Sequence, residues 1–331
     1  MDLNLIWFIL LTLLTTGYAV LDGFDFGVGM VQPLLGNSEN RNVAIKAIGP
    51  LWDGNEVWLV TLGGALFAAF PEAYATIMSA FYLPVMGLLF CLIARAVSID
   101  FRNKTESKVW RRIFDFGFSC SSLFATVIFG VLVGRLMLGI PLDERGIFVG
   151  STADLFGFFP LLVAMLAVAT FWLHGTIFLY LKTVGEIQKS LLVPMRFGLI
   201  GFLGLFLATS IYAILKIPHA TQWFGAYPLL LVFVLLHWVA IFGIPWSVSR
   251  KRFGWAFVFS SGNIVGLVIL FGIAVFPNLV ISSSSQPSLT IYNAASSEAT
   301  LQLMLIFALI GLPLIAAYTV IIYWTFRGKV N

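Results

Sequence analysis

The sequence predicts an all-α, polytopic membrane protein that crosses a bilayer about nine times. Three observations carry this expectation. Hydrophobic residues make up 60% of the 331 and charged residues only 10%, whereas a soluble domain carries roughly 25% charged residues. The apolar residues gather in runs of about 20, the length a helix needs to cross the hydrocarbon core. The basic residues lie between or at the ends of those runs, and they fall mostly on one side.

The runs place spans at 4–30, 53–70, 75–97, 113–138, 157–180, 197–215, 227–248, 255–276 and 300–324. Backbone groups in lipid must be satisfied within the segment, so runs of this length read as helices. The start, Met1-Asp2-Leu3-Asn4, lacks a basic leader region and a small-residue cleavage site, so the first run reads as a retained span. The chain reads as a single membrane domain over 1–331. A weak four-helix pseudo-repeat, about 1–138 and 157–276, with a final helix at 300–324, is compatible with the spacing.

Orientation follows from Lys and Arg. If the first loop is cytoplasmic and sides alternate, sixteen of the nineteen basic residues lie inside, and only Arg135, Arg145 and Lys216 lie outside. This puts the N-terminus outside and the C-terminus inside, which requires an odd number of spans. The same distribution argues against nucleic-acid binding, because the formal charge of +4 forms no single basic patch. The sequence has no Walker A motif, Rossmann fingerprint or nucleophile triad. Cys91 and Cys120 lie in apolar runs without CxxC spacing and read as small buried hydrophobes.

Four carboxylates break the apolar pattern near the inner ends of the first two spans. Asp22 and Asp25 lie in Leu21-Asp22-Gly23-Phe24-Asp25-Phe26-Gly27. Asp53 and Glu56 lie in Gly49-Pro50-Leu51-Trp52-Asp53-Gly54-Asn55-Glu56-Val57-Trp58. Each pair is spaced i,i+3 and so shares a helix face. Charge at membrane depth is costly, by about 2.5–3.5 kcal/mol on insertion scales, which makes such acids candidates for function. A carboxyl in a low dielectric can carry a proton near neutral pH. Other roles fit the same residues: Asp53 could cap the second span, and Asp22 and Asp25 could pair with Arg41 or Lys46. The acids alone do not choose among proton transfer, sodium binding and structure. Gly23 and Gly27 form a GxxxG step for close helix approach. Trp52, Asn55, Trp58 and His174 read as packing or pathway support.

His174 and His237 lie inside spans and His219 in a loop. With no C-x-x-C-H motif and no metal-spaced cluster, the reading is no metal on this chain. The residues are also compatible with a stand-alone secondary transporter or cation channel that binds its cargo at the carboxylates.

The stretches 21–29 and 49–59 resemble the two signature segments of subunit II of the cytochrome bd quinol oxidases. So do Thr61–Pro71, His174-Gly175 with Lys182–Glu186, Trp255–Ser261 and Pro287–Ile291. The resemblance implies a complex of the bacterial cytoplasmic membrane that oxidises quinol and reduces dioxygen to water. It implies a partner, subunit I, that carries two haems b and one haem d. It implies that subunit II has nine spans, binds no haem, stabilises subunit I and supplies part of a cytoplasmic proton path. The matching path positions are Asp25 and Asp53, with Asp22 and Glu56 beside them. A structural quinone and small single-span accessory subunits are further expectations from the family.

Overall fold

The computed structural model describes residues 2–330. Thirteen helices are defined among them: α1 Leu3–Val31, α2 Ser38–Ile48, α3 Trp52–Ala69, α4 Pro71–Ala80, α5 Tyr82–Arg102, α6 Lys108–Leu138, α7 Phe158–Lys182, α8 Gly185–Ser190, α9 Leu192–Lys216, α10 Gln222–Ala226, α11 Leu231–Ser249, α12 Phe253–Val275 and α13 Glu298–Thr325. A two-stranded antiparallel hairpin, β1 Asn278–Val280 with β2 Leu289–Thr290, closes one end of the bundle. Eight helical segments among the described residues are long and apolar enough to cross a membrane. Helix α3 is not among them. Its 18 residues span about 27 Å, but Asp53, Asn55 and Glu56 make its first turns polar.

Local sequence explains where the helices break. Asp2 caps α1 by accepting the Leu5 N–H at 3.1 Å. At the far end a 3-10 turn over Gln32–Leu35 contains Pro33, and Gly36 adopts φ 76°, a conformation that costs a residue with a Cβ. Asn37 then caps α2 through the Asn40 N–H at 2.8 Å. The span expected at 75–97 is shifted. The chain forms α4, leaves helical geometry at Phe81 and restarts as α5 at Tyr82. Pro71 and Pro84 each stand in a first turn, where a missing N–H costs nothing.

Helix α1 is the hub. It packs against α3, α6, α7, α12 and α13. Helix α7 in turn contacts α6, α9 and α12, while α5 lies on α6 and α11 on α12. Helices α1 and α7 cross closely. A Cβ on Gly27 would sit 1.9 Å from the Phe171 carbonyl oxygen, and one on Gly175 would sit 2.4 Å from the Gly27 backbone. Two glycines facing each other are therefore what this approach requires. Helix α13 is held only at its margins: Leu301 is its one fully buried residue, and most of its apolar side chains face outward.

Candidate functional site

Charge and polarity concentrate where α1, α3 and α5 meet. Asp22, Asp25 and Arg95 are all 0% exposed. The Arg95 guanidinium grips both oxygens of Asp22, one through Nη1 at 3.0 Å and the other through Nη2. The same Nη2 lies 3.5 Å from Glu56 Oε1. That contact is an ion pair without hydrogen-bond geometry, so Oε1 has no hydrogen-bond partner. The guanidinium also stacks over the Phe26 ring at 4.3 Å. Arg95 thus compensates Asp22 fully and Glu56 in part.

Among the described residues, no cation lies within ion-pair distance of Asp25. Its Oδ2 accepts from Asn55 Nδ2 at 2.7 Å, and its Oδ1 has no partner. Asn55 Nδ2 also donates to the Leu21 carbonyl at 3.1 Å, and Asn55 Oδ1 accepts from the Tyr323 hydroxyl at 3.1 Å. The Tyr18 hydroxyl, Trp58 Nε1 and Arg95 Nε are likewise buried without partners. Unpartnered polar atoms are therefore concentrated around these acids, although buried polar groups are normally paired.

Asp53 does not join the buried group. The sequence reading set it at membrane depth, but it is exposed in the first turn of α3. An ionised carboxylate with no counter-cation stays hydrated, and the helix N-terminus favours its charge there. Its capping alternative is also not realised, since the N-cap is Leu51 and no side chain caps the helix. Glu56, one turn further on, has a side chain 24% exposed, between the two extremes.

The supporting residues are placed as follows. Gly23 faces Phe171, where a Cβ would come within 2.7 Å of the ring. Gly27 forms the crossing with Gly175. Trp52 is buried in the cluster with Phe24, Ile48 and Leu51. The Trp58 ring fills the space over Gly17. His174 is wholly buried, and both ring nitrogens are engaged, Nδ1 with Ser260 Oγ at 2.5 Å and Nε2 with the Val20 carbonyl at 3.1 Å. Since a carbonyl only accepts, Nε2 carries the proton.

A haem axial ligand needs a free, unprotonated nitrogen, and His174 has none. His237 and His219 each commit one ring nitrogen, Nε2, to Asn263 Oδ1 at 2.9 Å and to the Met137 carbonyl at 2.8 Å.

Two features were not anticipated from sequence. Arg95 reads in the sequence as a charge at the inner end of a span, yet it is enclosed. Its signal was in the sequence all the same: a lone arginine within Leu92–Val97, inside an apolar run. The second feature is a latch at the same end of the bundle. Asp115 accepts from Arg102 and from Gln32 Nε2 at 3.0 Å, and Arg41 lies at 3.5 Å. Arg102 also donates to the Ser38 carbonyl at 3.0 Å, which pins the α1–α2 connection to α5 and α6. Arg41 therefore pairs with Asp115 and not with Asp22 or Asp25, because Arg95 already occupies Asp22.

The family model for cytochrome bd terminal oxidase subunit II matches residues 3–326. The chain belongs to that family. It is 34% identical to subunit 2 of the cytochrome bd-I ubiquinol oxidase of Escherichia coli strain K12, over 99% of this chain and 95% of that one. It is also 34% identical to cytochrome bd ubiquinol oxidase subunit 2 of Bacillus subtilis strain 168, over 100% and 97%. The fold matches a chain of the bd oxidase from Geobacillus thermodenitrificans with a TM-score of 0.82, at 19% identity, over 99% and 100% of the two chains.

The chain is thus a subunit of a terminal quinol oxidase, which couples quinol oxidation to oxygen reduction in the respiratory chain of the bacterial inner membrane. Membership as subunit II implies a subunit I partner. It also removes the basis for a stand-alone transporter.

Proposed function

We propose that this subunit binds no haem, stabilises a subunit I that holds two haems b and haem d, and carries part of a proton path from the cytoplasm. On this reading α3 is a ninth span, the N-terminus lies outside and the C-terminus inside. Helices α1, α3, α5 and α6 form one four-helix unit, α7, α9, α11 and α12 a second, and α13 stands apart. The exposed apolar side of α13 and α3, with Val60, Phe67, Phe307 and Leu314 outermost, is the seat for the partner. An apolar groove of about 330 Å³ between α1, α3 and α13, lined by Trp7, Leu14, Gly64 and Phe307 among others, has the chemistry to hold the tail of a structural quinone or a lipid. Small accessory subunits would add further single spans.

One observation carries the proton path. Asp25 is fully buried, has no cation within ion-pair distance among the described residues and keeps one oxygen free, yet it is tied through Asn55 to the polar start of α3. Along that start, Asp53 is open to solvent and Glu56 is half enclosed beside Arg95 and Asp22. Protons enter at Asp53, pass by Glu56 and reach Asp25, while the Asp22–Arg95 pair stays charged and fixed. Exchange needs a carboxyl that is not locked by a guanidinium, and Asp25 meets that condition where Asp22 does not.

The test is Asp25→Asn, Asp53→Asn and Glu56→Gln in the assembled complex, with oxygen consumption and proton uptake measured per haem. The path predicts lower uptake and turnover at unchanged haem content. A purely scaffolding role predicts less assembled complex with normal turnover per haem. Unchanged uptake in all three variants would remove the proton role.

A further inference from the structure

The amide of Asn55 can adopt only one orientation. The atom 3.1 Å from the Leu21 carbonyl must be the nitrogen, because a carbonyl oxygen only accepts. The opposite atom is then Oδ1, and the Tyr323 hydroxyl donates to it at 3.1 Å. Both N–H bonds of the amide are thereby committed, one to Leu21 and the other to Asp25 Oδ2 at 2.7 Å. Asp25 Oδ2 already receives an N–H along that direction. A proton on the carboxyl therefore belongs on Oδ1, the buried oxygen with no partner.

Three spans contribute to this clamp: α1 supplies Asp25, α3 supplies Asn55, and α13 supplies Tyr323 two residues before the helix ends. Asn55 is buried, so a lost partner there is not replaced by bulk water. The hydroxyl bond to Oδ1 also polarises the amide and strengthens its donation to Asp25.

We infer that Tyr323, acting through Asn55, is a positioning residue that fixes the Asp25 carboxyl with its exchangeable proton on Oδ1. Tyr323 does not exchange the proton itself. It keeps Asn55 turned, and Asn55 keeps Oδ2 an acceptor. The inference rests on the proton-carrying reading of Asp25 and adds the atom and the device that aims it. It also gives α13 a part in the site, although that helix is otherwise loosely held.

The test is infrared difference spectroscopy of the assembled complex between its reduced and oxidised states. The carbonyl stretch of the protonated Asp25 carboxyl is identified as the band lost in Asp25→Asn. Oδ2 is the carbonyl oxygen in this arrangement, so its hydrogen bond from Asn55 lowers the stretch. Tyr323→Phe should move the band to higher wavenumber. Asn55→Ser, too short to reach Oδ2, should move it further. Turnover per haem should fall several-fold in both variants, in the same order. A merely structural role for Tyr323 would reduce the amount of complex and leave the band in place. A band unmoved by both variants overturns the clamp while leaving Asp25 as a proton carrier. No Asp25-dependent band in the unsubstituted complex overturns the proton reading itself, and the clamp with it.

Discussion

Removing one partner of the buried Asp22–Arg95 pair should cost far more than removing both. Arg95→Met leaves Asp22 wholly buried without its ion-pair partner, and Arg41 and Arg102 are engaged with Asp115. Breaking a buried pair in this way costs about 3–5 kcal/mol. Loss of the stacking on Phe26 at 4.3 Å adds up to about 2 kcal/mol. Asp22→Leu should be milder, because the stranded guanidinium keeps Glu56 at 3.5 Å and can draw closer to it. The double variant removes both charges of the pair together and should recover part of the loss, since such replacements are often close to neutral, although it leaves Glu56 without Arg95. The expected order of destabilisation is Arg95→Met, then Asp22→Leu, then the double variant. Unfolding of the purified complex in mixed micelles titrated with dodecyl sulfate measures all three. A double variant that unfolds as readily as Arg95→Met would show that charge compensation is not what holds α1 to α5.

Three further outcomes follow from particular contacts. Gly27→Ala should lower the yield of folded complex sharply, because its Cβ would lie 1.9 Å from a backbone oxygen that cannot swing away; Gly204→Ala, with no atom within 4 Å, is the control and should fold normally. Asp115→Asn should weaken the latch among Arg102, Gln32 and Arg41 by about 3 kcal/mol or more, read as faster proteolysis of the α1–α2 connection in membrane vesicles. In the loop before α7, the Ser151 backbone and side chain donate to Asp154 at 2.6 and 2.9 Å and hold its carboxyl below the usual range. A depressed carboxyl contributes order to the loop above its unfolded titration point and loses it as pH falls through the folded one. Ser151→Ala should raise the titration of Asp154 towards the ordinary value, measured by carbon-13 shifts of labelled carboxyl groups.

Much of the architecture was readable because membrane helices are specified by run length, a property local to the chain. The segments at 113–138 and 300–324 lie within helices of the structure, and those at 157–180 and 255–276 overrun theirs by one residue each. The break at Phe81 was harder to see, since a proline in a first turn and a proline inside a run look alike until the helix start is known. The acids were visible because they interrupt apolar sequence. Their partners were not, because the partnership is long-range: Asp22 and Arg95 are 73 positions apart, and Asn55 and Tyr323 are 268 apart. No periodicity or spacing rule connects such pairs. Arg95 in particular reads as an orienting charge, because positive charge near a span end ordinarily serves that purpose.

Asp22 and Asp25 show why burial alone is a poor guide to function. They stand one turn apart on one helix, both fully enclosed, with the same side-chain chemistry. They differ in what faces them. A guanidinium with two parallel donors meets Asp22, so its charge is balanced and its geometry is fixed. An amide meets Asp25, so one oxygen is aimed and the other is left open. A buried acid fixed by a cation holds helices together, whereas a buried acid fixed by a neutral donor can still change its protonation state. Exchanging the two environments tests this directly. Asn55→Lys would bring a cation to Asp25, and it should suppress turnover per haem even where the complex assembles and the α1–α3 contact is kept.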